Sequence, residues 1–222
     1  MTIETILVPQ GTEYQAVCRG LKGISPQPLV LSIPIGIIPV TTCLQQWQQN
    51  HVLPEEVLLV GLCGSLLPDY QVGDLVFYQE CLYCSEESHW QTKSCDRPLT
   101  TQLRQRLGKQ VPLVKSVTSD RAISSAKEKQ QLGISSQAAV VDMEGFAVLK
   151  SLPTKVAMLR VVSDDCRQNL PNLTGAISPK GKLLPLPLTL AMLHQPLAAM
   201  RLIRGSLKGL QVLQKAIPSL FL

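Results

Sequence analysis

Short aliphatic and β-branched runs alternate with polar, helix-like stretches along the 222 residues. The apolar runs are Thr5–Pro9, Leu29–Ile35, Val57–Leu62, Asp74–Tyr83, Pro112–Thr118, Ala138–Met143 and Val156–Val162. Several are apolar without a break, as strands covered on both faces are. The spacing between them predicts helices over Tyr14–Leu21, Val40–Asn50, Leu99–Gly108, Ser125–Leu132, Phe146–Ser151 and Leu197–Lys215. This alternation predicts an α/β fold: a single domain over residues 1–222 with a central mixed, largely parallel sheet flanked by helices. No internal repeat or linker interrupts it. Residues 183–222 read as a C-terminal loop and helix. The stretch Leu183–Met200 carries no formal charge over 18 residues, the lower limit for a membrane span. Pro185, Pro187, Pro196 and the polar pair His194-Gln195 argue against a span, and a buried loop leading into a helix is expected instead.

Composition narrows the class. Hydrophobic residues at 45% and charged residues at 17% exclude a disordered chain, a collagen-like fibre and a coiled coil. The net charge of +5 is spread along the chain, and three Phe, two Trp and four Tyr give no stacking platform, so no nucleic-acid partner is expected. Seven cysteines, an odd number, and a beginning without a basic region or cleavage site point to a cytoplasmic, reducing setting with free thiols. Cys81-x2-Cys84-x4-His89-x5-Cys95 approaches a zinc-knuckle spacing. Its last gap is one residue too long, and Cys81 and Cys84 have opposite parity on one strand, so strand and loop thiols are expected and no metal. In the last helix, Arg201, Arg204, Lys208 and Lys215 fall near one face, with Ile203, Leu207, Leu210 and Leu213 offset from them. The expected reading is a terminal helix packed on its own domain with its charges in solvent. Contact with an anionic membrane surface is the other reading, tied to a lipid-like substrate.

Candidate chemistry collects at the carboxyl ends of the strands, where open α/β sheets bind ligands. Glu13 follows the first strand, Gly61-Leu62-Cys63-Gly64 ends the third and Thr118-Ser119-Asp120 the fifth. Asp142-Met143-Glu144-Gly145 ends the sixth and Ser163-Asp164-Asp165 the seventh. Each acid taken singly reads as the start of the next helix, where it favours the dipole. Taken together, separated carboxylates can converge on one pocket.

The segments I-L-V-P-Q-G-T-E (Ile6–Glu13), V-G-L-C-G-S-L (Val60–Leu66) with V-G-D-L-V (Val72–Val76), V-D-M-E-G (Val141–Gly145) and R-V-V-S-D (Arg160–Asp164) resemble the nucleoside phosphorylase/nucleosidase superfamily in order and spacing. Within it the chain is most similar to the methylthioadenosine/S-adenosylhomocysteine nucleosidases and the hopanoid-associated phosphorylases. The resemblance implies an enzyme that cleaves the N-ribosidic bond of a purine nucleoside, adenine being the expected base, through an oxocarbenium-like transition state. It implies Asp164 as the acid protonating purine N7, Ser163 as the group orienting that carboxyl, and Glu13 as the base activating water. Glu144 and Met143 would hold the ribose, backbone near Ala122 and Ile123 would read the purine edge, and Gly61 and Gly64 would let the backbone approach the sugar. No cofactor is implied, with phosphate a co-substrate in a phosphorylase, and a homodimer is expected.

Three departures bear on the substrate. Phosphate-using relatives carry an Arg and a Ser or Thr where Leu59 and Leu62 stand here, which favours water as nucleophile. The family's polar G-I-G-K-V-N-A-like stretch becomes I-G-I-I-P-V (Ile35–Val40). Ala122 replaces a stacking aromatic, leaving a wider, more apolar pocket suited to a hydrophobic 5′ substituent. The alternatives are phosphorolysis of an adenosylated hopanoid or another large apolar nucleoside, and a nucleoside-binding protein without catalysis.

Overall fold

A computed structural model of the protein describes residues 3–84, 89–108 and 110–221. Eight strands, β1 (Thr5–Pro9), β2 (Leu29–Ile33), β3 (Glu56–Ser65), β4 (Leu75–Cys84), β5 (Trp90–Ser94), β6 (Leu113–Thr118), β7 (Val140–Asp142) and β8 (Lys155–Asp164), form one mixed sheet. The helices are α1 (Thr12–Gly20), α2 (Ile37–Asn50), α3 (Arg97–Arg106), α4 (Ala126–Ser136), α5 (Gly145–Ser151), α6 (Pro185–His194) and α7 (Pro196–Ala216). Five strand pairings are parallel and three, β3·β7, β4·β5 and β4·β8, are antiparallel. The largely parallel α/β sheet expected from the apolar runs is therefore present.

The sheet is not simply open. β8 pairs with both β3 and β4, so β3, β7, β6, β4 and β8 close on themselves, while β2–β1 and β5 extend from the ring. Alternation along the central strands splits the core. Leu7, Leu59, Met158 and Val162 meet α2 and α5 on one face. Ile6, Leu58, Leu159 and Val161 meet α1, α3 and α7 on the other. Burial on both faces is why β3 and β8 read as unbroken apolar runs.

Two elements differ from the sequence expectation. β5, W-Q-T-K-S, is exposed along its length and, among the described residues, pairs only with β4, so it has no apolar period to reveal it. Residues 185–194, expected as a buried loop, form α6, and none of its residues is buried. Pro185 and Pro187 fall in its first turn, where a missing N–H costs nothing because those groups have no intrahelical partner. The uncharged stretch is thus divided between two helices at Gln195. Among the described residues, no helix is long and apolar enough to cross a membrane.

α7 packs closely on β8. A Cβ at Gly205 would stand 2.0 Å from the carbonyl oxygen of Ser163, and one at Gly209 would stand 2.8 Å from Leu62 Cδ2. Leu210 and Leu213 are buried as the amphipathic pattern requires, whereas Ile203 and Leu207 are exposed.

Candidate active site

The ends of β3, β7 and β8 meet because of their register. Gly64 pairs with Val141 on one side and with Asp164 on the other, and the β3·β8 ladder slips between Cys63 and Gly64. Cys63 opposes Val162 and Gly64 opposes Asp164, leaving Ser163 as an extra, bulged residue. A bulge re-aims the side chains beside it. Here Asp164 lines a cavity of about 240 Å³ and Asp165 does not. The Asp165 carboxylate instead turns back to accept the Arg167 N–H at 2.9 Å. That arrangement distinguishes the two adjacent acids.

Ser163 Oγ lies 2.9 Å from Asp164 Oδ2 and 3.2 Å from the Cys63 carbonyl oxygen. The other oxygen of Asp164 is held by Lys129 Nζ, which also donates to the Asp165 carbonyl at 3.3 Å. Lys129 reaches in from α4, with only 1% of its side chain exposed. The Ser125 side chain caps this helix by accepting from Glu128 N–H. Its buried face, Lys129, Gly133 and Ser136, contains no large apolar residue.

Glu13 occupies the first turn of α1, which opens after Gly11 in the left-handed region at φ 92°. Its Oε1 accepts the Leu62 N–H at 2.6 Å. Burial pushes the Glu13 carboxyl up to about 7, against the pull of Arg160 and the Leu62 hydrogen bond. Glu144 precedes α5 and is buried; Oε1 accepts the Gly36 N–H at 3.4 Å and Oε2 accepts Arg160 Nη2 at 3.3 Å. Burial holds its carboxyl up at about 8, with Arg160 pulling down and Asp142 and Glu13 pushing further up.

Arg160 stands beside these acids in the interior of β8 and bonds Glu144. It is fully buried on the strand face that carries Met158 and Val162, and its Nη2 donates to Asp142 Oδ2 at 3.0 Å as well as to Glu144. Asp142 also accepts from Thr118 Oγ1 at 2.8 Å and from Gly145 N–H, so its lone pairs are occupied by the scaffold. Among the described residues, Arg160 Nε and Nη1 have no hydrogen-bond partner. A Cβ at Gly61 would meet Arg160 Nη1 at 2.2 Å and Glu13 Oε1 at 2.7 Å. The space kept open at Gly61 is therefore filled by the protein's own guanidinium and carboxylate. A Cβ at Gly64 would similarly meet Asp164 Oδ1 at 2.8 Å.

The cavity brings together the side chains to which the resemblance gives a role: Glu13, Ala122, Ile123, Met143, Glu144, Ser163 and Asp164 all line it, as does Gly64, whereas Asp120 lines the wider cavity beside it. Gly61 lies behind Glu13 and Arg160. Met143 is half-buried in the cavity wall and is not a core residue. Lys129 and Arg160 were not among the sequence candidates. A lysine among A-K-E-K-Q-Q reads as a solvated helix face. Arg160 offered a signal, a charge inside an apolar strand, which needs buried partners. Leu62, Leu170, Leu173, Ile177 and Leu202 give the remaining wall its apolar character. Through Ile35, Ala122, Met143, Leu173 and Ile177 the site continues into a wider cavity of about 1040 Å³ beside Ile37, Ile38 and Pro39. The altered stretch Ile35–Val40 thus lies beside this opening. Among the described residues, no group of three or more His, Cys, Asp or Glu side chains could hold a metal ion. Cys81 packs in the core near Ser116 and Met158, and the gap between Cys84 and His89 spans residues 85–88, outside the described residues.

These features define an α/β protein with a carboxylate-lined cavity at the strand ends of a partly closed sheet. The sequence pattern of the phosphorylase superfamily matches residues 24–176, and the chain belongs to that superfamily. The fold is similar to that of 5′-methylthioadenosine/S-adenosylhomocysteine nucleosidase from Helicobacter pylori, solved with butyl-thio-DADMe-Immucillin-A. The TM-score is 0.73 and the identity 16%, with 99% of this chain and 97% of that one covered. It is also similar to futalosine hydrolase of H. pylori strain 26695, with a TM-score of 0.71 and 16% identity over 97% of this chain and 95% of that one. No curated protein matches the chain at a significant level.

Proposed function

We propose that this protein is a nucleosidase that hydrolyses the N-ribosidic bond of a purine nucleoside, with adenine as the base and an apolar group at the 5′ position. The observation that carries the reading is the division of labour around one cavity. Asp164, Ser163 and Lys129 form one cluster of polar groups, while Glu13, Glu144 and Arg160 form another. Breaking a ribosyl C–N bond needs a proton donor at the leaving base and an activated nucleophile at the opposite face of the sugar.

In the proposed reaction a water molecule attacks C1′ and gives a proton to Glu13. The C1′–N9 bond breaks, its electron pair passes to the purine, and Asp164 delivers a proton to N7. A carboxyl pushed up to about 7 is matched to general-base work near neutral pH. Arg160 Nη1, beside Glu13 and without a hydrogen-bond partner among the described residues, is a donor for that water. Glu144, near 8, carries a proton over much of the neutral range and can exchange hydrogen bonds with the ribose hydroxyls, with Met143 against the sugar. Lys129 Nζ is held against Asp164 Oδ1, which gives a route by which Asp164, having passed its proton to the base, is resupplied from the ammonium.

Two features support water over phosphate as nucleophile: Leu59 is sealed in the core, and the Leu62 backbone N–H is taken by Glu13. The apolar walls and the wide adjoining cavity support a bulky 5′ group. The test is adenine release from adenosine and from 5′-alkylthio adenosines of increasing chain length, with and without phosphate, beside Asp164→Asn. Release without phosphate, increasing with chain length and reduced about 10²–10⁴-fold in the variant, is expected. An absolute requirement for phosphate would replace hydrolysis by phosphorolysis. Binding without turnover would make the protein a nucleoside-binding protein.

A further inference from the structure

The corner formed by α6 and α7 is built unlike the rest of the surface. α6 is aliphatic, carries no formal charge and buries none of its residues. Leu186, Leu193 and Leu197 are 79%, 70% and 68% exposed. The apolar strip continues along α7 through Met200, Ile203 and Leu207, all exposed at helical spacing. Arg201, Arg204 and Lys208 each follow one of these residues and lie along its edge. From Cys166 to Leu222 the chain contains seven Lys and Arg and no Asp or Glu, more than the whole net charge of +5. Of these, Lys180, Lys182, Arg201, Arg204 and Lys208 are exposed, and none forms an ion pair among the described residues.

We propose that this corner docks the protein on an anionic lipid bilayer, with the leucines of α6 and the start of α7 in the acyl–headgroup boundary and the cations against lipid phosphates. A helix with aliphatic exposure and a basic border has the composition of an interfacial anchor. Charge decides against a second copy of the same surface, because a symmetric contact would set the basic borders against each other. The absence of Tyr, Trp and Phe from the exposed strip distinguishes it from the aromatic-rich centres of protein interfaces. The corner also adjoins the candidate site. Gln195, Pro196, Leu197 and Arg201 line a cavity of about 620 Å³ that shares Arg121 and Leu170 with the site cavity, and Leu202 of α7 reaches the site itself. A nucleoside with a membrane-embedded 5′ tail would therefore meet the site at the bilayer surface; this consequence rests on the proposed substrate class, whereas the docking does not.

The experiment is co-sedimentation of the full chain with phosphatidylcholine vesicles, with and without phosphatidylglycerol, alongside light scattering of the protein alone. Binding only to the phosphatidylglycerol vesicles is expected, weakening on the order of tenfold for Arg201→Glu with Arg204→Glu and also with added salt. It should be lost in Leu186→Asp with Leu193→Asp, while that variant keeps the wild-type circular dichroism and melting temperature. No binding by the wild type, or binding unchanged in the leucine variant, would overturn the proposal. A wild-type dimer that the leucine variant converts to a monomer would assign the surface to a second copy and also overturn it. The readout requires no turnover, so failure of docking and failure of the proposed reaction are distinguishable.

Discussion

Replacing Lys129 with methionine tests the proton route at its least visible member. The substitution keeps most of the side-chain volume and removes the ammonium that faces Asp164. Lys129 is 1% exposed and the Asp164 side chain 14% exposed, so water replaces the lost contact only in part. Removing one partner of a buried ion pair costs about 3–5 kcal/mol, because the remaining charge is uncompensated. Asp164 faces a cavity that can hold some water, which sets the expected loss near the lower end, about 3 kcal/mol. In Lys129→Met with Asp164→Asn the uncompensated charge is gone, so the double variant should be more stable than the sum of the single losses implies, by at least about 1 kcal/mol. Urea unfolding of the four proteins measures this cycle. Turnover should follow the same logic: kcat falls about 10²–10⁴-fold in Lys129→Met with little change in KM, and adding Asp164→Asn costs little more. A Lys129→Met enzyme within twofold of wild-type kcat, or an additive cycle, would refute the relay.

Other consequences concern the rest of the site. Glu13 must be ionised to accept a proton, so the hydrolysis rate should rise with pH through about 7, and Glu13→Gln should flatten that limb while lowering kcat at least about 10²-fold in initial-rate assays. Glu144 is held near 8 in the fold against an ordinary 4.5. The folded protein therefore keeps a proton that the unfolded chain has released, and the stability this represents is full below about 4.5 and lost as pH rises to about 8. The melting temperature should fall across that window in the wild type and fall less in Glu144→Gln. Gly205→Ala would drive a methyl group into the Ser163 carbonyl, destabilising the protein by about 2 kcal/mol in urea unfolding and disturbing the bulge that aims Asp164.

Legibility followed burial. β3 and β8, covered on both faces, announced themselves as unbroken apolar runs, whereas β5 had one partner strand and no buried face to impose a period. The closure of the sheet depends on β8 pairing with β4 across some eighty positions of chain, which no local pattern encodes. α6 was hidden by its prolines, which mark a breaker in mid-helix but an acceptable first turn. Glu13, Glu144 and Asp164 could be read because a carboxylate after an apolar run falls at the ligand-binding rim, and the family resemblance joined them. Lys129 could not, since its burial depends on the small residues Gly133 and Ser136 bringing α4 close to β3; Gly133 packs against Leu66. The glycine at position 61 was legible as a close approach, but the partner is Arg160 and Glu13 of the same chain.

The central claim, that water is activated in this cavity to cleave an N-ribosidic bond, is tested most directly by oxygen labelling. The enzyme is incubated with a 5′-alkylthio adenosine in phosphate-free water enriched in ¹⁸O, and the products are analysed by mass spectrometry. The expected result is free adenine and a sugar bearing one ¹⁸O at C1′, formed at least about 10²-fold more slowly by Glu13→Gln. Adenine appearing only after phosphate is added, with the sugar recovered as its unlabelled 1-phosphate, would contradict it.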